Sequence, residues 1–481
     1  MLGTHDLWNR ETKKHLAAAL LVGLLLRLFF VIHLPAADVD SELYEELGQN
    51  VVLNHAYAYQ PGTGAGLVPT DVRVPGYPLF LGALYVFFGD SQRAVLIAQV
   101  FVDLGTCVLI AALAGLIAPE PSRKRVMIAA LWLGATCPFV ANYAAIALTE
   151  VLTTFFAAGA LLVLVWADQS ESEPARVTRK LPPGQLWFLG GVMIGLGSLV
   201  RPETPIMLAA PAIVLATRWH KPVNWPRLAR TGILLVVGML IPLLPWAARN
   251  WITLHKVQFL TQRYFQLGDG YIPVGFYAWT HTWVVSYDSV DTVFNRIDDA
   301  SLNISDFPSY AFDSAEERAR VDALLEDQQS DSFMASPEAD AQFAELARER
   351  TSRHPLRTYV TVPFQRCLAL WFTRRTELLP YAGYWWPPIQ RWRLNRLDFM
   401  VGLFYTALNL FYAGLALAGA YILRRRRGVA LLAAFIVART VFIAFEHLTV
   451  EPRFVLPCVP AVLALGALVR AGRADQESTV I

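Results

Sequence analysis

The chain has 481 residues, of which 55% are hydrophobic and 17% charged. A soluble domain carries about 45–50% apolar and about 25% charged residues, so this composition excludes an ordinary soluble protein and indicates that lipid replaces water around much of the surface. The formal net charge of +2 excludes a bulk electrostatic attraction to nucleic acid.

The first apolar run, 16–34, follows Lys13 and Lys14 and ends before Pro35-Ala36-Ala37. It has the general form of a signal peptide. Its length, its Arg27 and the many apolar runs behind it favour a retained first span. Crossing a hydrocarbon core of about 30 Å takes roughly 20 helical residues. Further candidate spans are 92–118, 126–146, 149–167, 186–200, 204–218, 230–250, 396–423, 429–447 and 453–470. Two of them, 186–200 and 204–218, are short, and Pro202 and Pro205 between them predict a tight hairpin. The stretch Tyr77–Gly89 is too short to span and reads as an interfacial or re-entrant helix. Cys107, Cys137 and Cys458 lie in apolar runs and only Cys367 in a polar region. That supplies no disulfide framework and no zinc spacing, so the cysteines read as small apolar fillers.

Basic residues cluster at Lys13/Lys14, Arg123-Lys124-Arg125, Arg176/Arg179/Lys180, Arg218 through Arg230, Arg424–Arg427 and Arg470/Arg473. With ten spans all of these fall on one side, which the positive-inside rule makes cytoplasmic, along with both termini. The expected divisions are an N-terminal bundle over 1–250, an extracytoplasmic insert over 251–395 and C-terminal helices with a tail over 396–481. The insert is long enough to fold as a small domain, with helices expected at Ser314–Gln329 and Pro337–Ser352. Aromatic clusters stand at Trp279–Trp283 and Tyr384–Trp386. No internal repeat supports an inverted-repeat transporter.

The first outer loop, 35–91, opens Asp38-Val39-Asp40-Ser41-Glu42-Leu43-Tyr44. Leu43, Leu47 and Val51 recur every four residues, predicting an interfacial amphipathic helix over 41–53 with Asp40 at its N-cap. A carboxylate there caps the helix, and it can equally serve as a general base. Asp38 and Asp40 together also offer oxygen ligands to a divalent metal, a weak signal from two carboxylates. Arg73, just before Pro75-Gly76, can snorkel to headgroups or grip a phosphate with its planar fork of donors. Glu150, the turn Arg201-Pro202-Glu203, Arg249, and the turn holding His447, Glu451 and Arg453 fall on the same side. Each alone reads as an interfacial anchor or a local ion pair. Gathered together at membrane depth, where ionisable groups are costly, they point to a site. Deeper in, Arg27 and Asp103 lie at matching depth and read as a pair between helices, and Arg439 as a bond inside the bundle.

This ordered set resembles the GT-C superfamily of membrane glycosyltransferases. Within it, the set looks like the bacterial branch of protein mannosyltransferases, aminoarabinose transferases and Rgt-type lipopolysaccharide glycosyltransferases. The segments that carry the resemblance are Asp40-Ser41-Glu42-Leu43-Tyr44, Arg73-Val74-Pro75-Gly76-Tyr77-Pro78, Leu148-Thr149-Glu150, Val200-Arg201-Pro202-Glu203, Pro245-Trp246-Ala247-Ala248-Arg249-Asn250 and Glu451-Pro452-Arg453-Phe454. It covers roughly 15–251 and 396–470 and leaves the insert unmatched.

The resemblance implies an all-α bundle of about ten to twelve transmembrane helices, with interfacial helices in the first outer loop and an α-rich extracytoplasmic insert. It also implies an enzyme of a prokaryotic inner membrane. Its donor would be a sugar on a polyprenyl phosphate, and its acceptor a lipid, glycan or protein, with inversion and no required metal. The family's acidic base falls on Asp40, with Asp38 as the other candidate, and its phosphate-binding arginines on Arg73 and then Arg201 or Arg453. Glu150, Glu203, Tyr44, His447, Glu451 and Arg249 would shape the site or meet the acceptor. Many relatives carry adjacent Asp-Glu where this chain has Asp-Val-Asp, which leaves the base and the metal question open. A flippase of lipid-linked sugars, or a polymerase or ligase using lipid-diphosphate donors, are the alternative functions.

Overall fold

The computed structural model describes residues 10–36, 38–62, 66–172, 181–216, 225–264, 271–296, 302–328, 336–385 and 388–472. The basic residues Arg176, Arg179, Lys180, Arg218 and Arg473, and Trp386, lie outside the described residues. The protein is an all-α integral membrane protein. Seven described helices are long and apolar enough to cross a bilayer, and an eighth span forms if Glu120–Thr136 and Pro138–Ala145, bent by 49°, count as one. The bend has a local cause: Pro138 cannot donate to the preceding turn, so the helix breaks at Cys137.

The elements in chain order are α1 (Arg10–His33), α2 (Val39–Leu53), a two-residue antiparallel ladder of β1 (Ala58–Tyr59) and β2 (Val68–Pro69), α3 (Gly76–Phe88) and α4 (Gln92–Ile117). There follow α5 (Arg123–Thr136), α6 (Pro138–Ala141), α7 (Glu150–Ser172), α8 (Pro183–Ser198), α9 (Ala209–Ala216) and α10 (Trp225–Leu254). The insert holds α11 (Val274–His281), α12 (Tyr287–Thr292), α13 (Ala315–Gln328), α14 (Pro337–Arg353) and α15 (Val362–Trp371). The chain ends with α16 (Pro388–Leu394), α17 (Arg396–Ile422), α18 (Arg427–Glu446) and α19 (Val459–Ala467). The expected spans 186–200 and 204–218 are shorter than a full crossing, as α8 and as an apolar helix over Thr204–Ala216.

The chain divides into two compact units. One comprises Met1–Thr261, Arg374–Ala438 and Leu456–Ile481, and the other Gln262–Thr373 with Arg439–Val455.

In the first unit, small residues let helix backbones approach closely where lipid offers no hydrophobic drive for association. A Cβ on Gly191 or Gly195 of α8 would stand 2.2 or 2.3 Å from the carbonyls of Leu235 and Met239 on α10. Arg27 ties α1 to its neighbours as its depth predicts. Its Nε donates to Asp103 Oδ2 on α4 at 2.7 Å, and its Nη groups donate to the carbonyls of Gly23, Gly134 and Ala135 and to Cys107 Sγ. With both side chains buried, each donor has an acceptor, which makes a charge at this depth tolerable.

The second unit has its own aromatic core, with Phe276, Trp279, Trp283, Phe307 and Phe343 buried together. Beside it, buried Arg350 donates to Thr282 Oγ1, the Ala311 carbonyl and Glu317, while Arg357 makes a two-pronged contact with Asp313 at 2.6 and 2.8 Å. Trp279 Nε1 donates to the same Glu317. A buried aromatic layer tied to a buried polar network favours one packing.

Candidate functional site

The site builds from the loop after α1. Asp38, in extended backbone, accepts from the Asp40 N–H at 2.9 Å and is the N-cap of α2. The sequence pattern places that cap on Asp40. The helix starts earlier because Val39 already takes helical geometry, which moves the capping duty to Asp38 and leaves Asp40 in the first turn. Freed of the cap, Asp40 accepts a 2.6 Å bond from Arg73 Nη2. Both side chains of that pair reach solvent, at 30% and 21% exposure.

Arg73 owes its position to a chain of backbone contacts. The Tyr57 hydroxyl donates to the carbonyls of Arg73 and Val74, and Thr261 Oγ1 donates to those of Asp71 and Val72. The Gly76 N–H then donates to the Leu199 carbonyl at 2.6 Å. A Cβ at Gly76 would sit 2.5 Å from that oxygen, so only glycine permits the approach. Leu199 lies two residues before Arg201, so this contact brings the arginine of the first loop toward the arginine of the α8 turn.

Arg201 donates to Glu150 at 2.9 Å through Nη1 and pairs with Glu203 at 2.9 Å through Nε. Glu150 opens α7 and is buried, as is Thr149 before it. The loop beneath is pinned by Gln99, which accepts from the Tyr77 hydroxyl and donates to the Ile146 carbonyl. Tyr44 packs edge-on to Tyr77, and the Arg73 guanidinium lies 5.7 Å from the Tyr44 ring centre. Burial pushes the Tyr44 hydroxyl up to about 12; Arg73 and Arg201 oppose that shift, while Asp40 and Glu150 add to it. Tyr44 thus lies against Arg73, and the Gly76–Leu199 contact ties the loop that carries Asp40 and Arg73 to the turn that carries Arg201 and its partner Glu150.

Arg249 is engaged differently. It donates to the carbonyls of Thr70 and Tyr57 and to Asn250 Oδ1, with its guanidinium over Trp246 and Tyr57. It fastens the loop to α10, which is a positioning task. The remaining candidates belong to the second unit. Arg453 pairs with Glu451, which also accepts from Thr449, and the His447 ring packs on Phe454 while its carbonyl accepts from Arg366. Arg439 donates to the Phe454 carbonyl at 2.7 Å inside the same unit, the bundle bond its depth predicts.

Among the described residues, no group of three or more His, Cys, Asp or Glu could hold a metal ion. Charge is not confined to this end of the helices. Glu171, at the far end of α7, pairs with Arg227 at 2.6 Å. The sequence places Arg201 and Glu150 on the same side but does not reveal that they pair.

Among solved structures, archaeal oligosaccharyltransferase AglB from Archaeoglobus fulgidus, in complex with an inhibitory peptide and a dolichol-phosphate, aligns with 96% of this chain at a TM-score of 0.50 and 13% identity. The chain has a GT-C fold. Two further structures of the Archaeoglobus fulgidus oligosaccharyltransferase cover 95% and 94% of it. One, tethered to an acceptor peptide, has a TM-score of 0.48 at 13% identity; the other, a complex with Zn and sulfate, has 0.46 at 15%. The chain spans about half the length of these proteins, 50%, 49% and 48% respectively. At such identities the likeness concerns the GT-C fold itself. No protein-family model matches the chain, and no curated protein is similar to it in sequence.

Proposed function

We propose that the protein is a membrane glycosyltransferase that moves a sugar from a polyprenyl-phosphate donor to an acceptor hydroxyl, with inversion, on the extracytoplasmic side of a prokaryotic plasma membrane. The observation that carries this reading is the partly exposed Asp40–Arg73 pair beside Arg201, Glu150 and Glu203. In the reaction the acceptor oxygen attacks the anomeric carbon while Asp40 takes its proton. The bond from that carbon to the phosphate oxygen breaks, and the electron pair leaves with the polyprenyl phosphate. Arg73 turns its fork of donors from Asp40 to that phosphate, and Arg201 adds fixed positive charge nearby.

The GT-C fold supports this reading, and so does the dolichol-phosphate bound in the AglB complex. The peptide in that complex is consistent with a protein acceptor alongside a lipid or glycan one. Metal independence rests on the two arginines, which supply the charge a divalent cation would otherwise bring.

A transporter of lipid-linked sugars is the second reading, favoured by the ion pairs at both ends of α7. It is weakened by Arg27, whose donors are already engaged by Asp103 and the carbonyls of Ala135 and Gly134. A donor screen with purified protein separates the readings. Transfer from sugar monophosphate lipids, unchanged by chelator, is the expected outcome. Use of diphosphate lipids alone points to a polymerase or ligase. Movement of labelled lipid across vesicles with no acceptor modified overturns the transferase.

A further inference from the structure

α15 follows a membrane helix in a way the reading of 251–395 as an external insert does not anticipate. Arg366 Nη1 donates to the His447 carbonyl just past the end of α18, Leu370 packs with Ile443, and Trp371 Nε1 donates to Thr440 Oγ1 at 2.9 Å. As one number rises the other falls, so α15 runs antiparallel to α18. By Trp371 it has moved seven residues back from His447, about 10 Å of helix rise. α18 is one of the helices able to span the bilayer, so α15 descends into the hydrocarbon alongside it.

The face that α15 turns away from the protein agrees. Its inner side buries Val362, Pro363, Arg366 and Leu370, while Phe364, Leu368 and Phe372 stand 62%, 42% and 58% exposed. No charged side chain is exposed from residue 355 to 372: Arg357 is paired with Asp313, and Arg366 is fully buried against the Val284 carbonyl and His281 Nδ1. A water-facing helix would carry charge there. Lipid-facing α18 shows the same pattern at Val437, Val441 and Phe445.

Beyond Thr373 the chain belongs to the first unit. Arg375, in the left-handed region at φ 54, donates through Nε to Asn409, the middle residue of α17, and lies over Phe139. By Gly383 and Tyr384 both backbone N–H groups donate to Asp398, in the first turn of α17. The stretch between them is non-helical, and Thr376 Oγ1 meets the Ala382 carbonyl within it. Irregular backbone at membrane depth is tolerated where protein satisfies its polar groups, as here.

We propose that residues 362–372 form a membrane-embedded segment, with α15 entering the hydrocarbon beside the C-terminal part of α18. Phe364, Leu368 and Phe372 rest on lipid acyl chains. The proposal is independent of the transfer reaction.

The test attaches a nitroxide to single cysteines, in full-length protein whose four native cysteines are replaced by alanine, held in phosphatidylcholine nanodiscs. The variants are Phe364→Cys, Leu368→Cys and Phe372→Cys, with Gln342→Cys on exposed α14 as the water reference. Expected is relaxation by oxygen well above that by a water-soluble nickel chelate, with the ratio rising from 364 to 372. Chelate accessibility at 368 and 372 equal to that at 342 overturns the proposal. Interspin distances under about 20 Å at these sites also overturn it, since a second copy of the chain would then cover the face. Should a labelled variant fail to fold, brominated-lipid quenching of Phe364→Trp and Leu368→Trp, read against the unsubstituted chain, decides the same point. Quenching at both supports the proposal, and quenching at neither overturns it.

Discussion

Two arginine–aspartate pairs in the first unit, Arg27–Asp103 and Arg73–Asp40, have nearly the same contact distance, 2.7 and 2.6 Å, and different surroundings. Around Arg27 the carbonyls of three residues and a thiol complete the shell, and neither side chain reaches solvent. Around Arg73 the Tyr44 ring covers one side, and solvent reaches both partners. A closed shell fixes a charge for packing. An open one leaves it able to change partner, which a phosphate grip requires.

The sharpest way to break this contrast is Asp40→Asn. It removes the proposed base and should cut kcat about 10²–10⁴-fold, with insertion and donor binding retained; in vitro transfer beside a lipid-donor binding assay checks it. Asp103→Asn acts on the closed pair. Leaving a buried arginine without its counter-charge should cost about 3–5 kcal/mol of stability, read by thermal unfolding in detergent. Arg73→Ala should cost on the order of 3 kcal/mol of transition-state stabilisation, about a hundredfold in rate, with little change in melting. Equal melting losses from Asp103→Asn and Arg73→Ala would remove the distinction between the two pairs.

Asp38 sharpens it further. Asp38→Asn keeps a good cap and should leave activity within a few-fold, whereas Asp38→Ala should lose about 1 kcal/mol of helix stability. An inactive Asp38→Asn beside an active Asp40→Asn would move the base to position 38.

The smallest effect concerns the second unit. Burial first, then Arg366, lowers His281 from 6.5 to about 4. The unfolded chain therefore binds the proton that the folded one refuses. Stability from this group is full above about pH 6.5 and falls as pH drops toward 4. His281→Asn should flatten that slope in melts across the window.

Much of the fold was legible because lipid imposes a simple rule on sequence. Long apolar runs and their basic flanks marked α1, α4, α7, α10, α17 and α18. Matching depth marked Arg27 and Asp103, and the acidic stretches of the insert became α13 and α14 nearly to the residue. The site was legible as a set of residues but not as a wiring pattern. Neither the Gly76–Leu199 contact nor the Arg201–Glu150 pair leaves a periodic trace, because long-range partners are chosen by packing. The course of 355–372 was hidden for another reason. Arg357 and Arg366 make the stretch look aqueous, until both find partners within the protein.

The Arg27 contacts also constrain how the chain is made. An arginine at the centre of a lone helix costs about 2.5–3.5 kcal/mol to insert, and its partners on α4 and α5 are not yet synthesised when α1 emerges. The first helix therefore has reason to linger at the insertion machinery until two later ones arrive. Removing α1 as a cleaved leader would strand Asp103 in lipid.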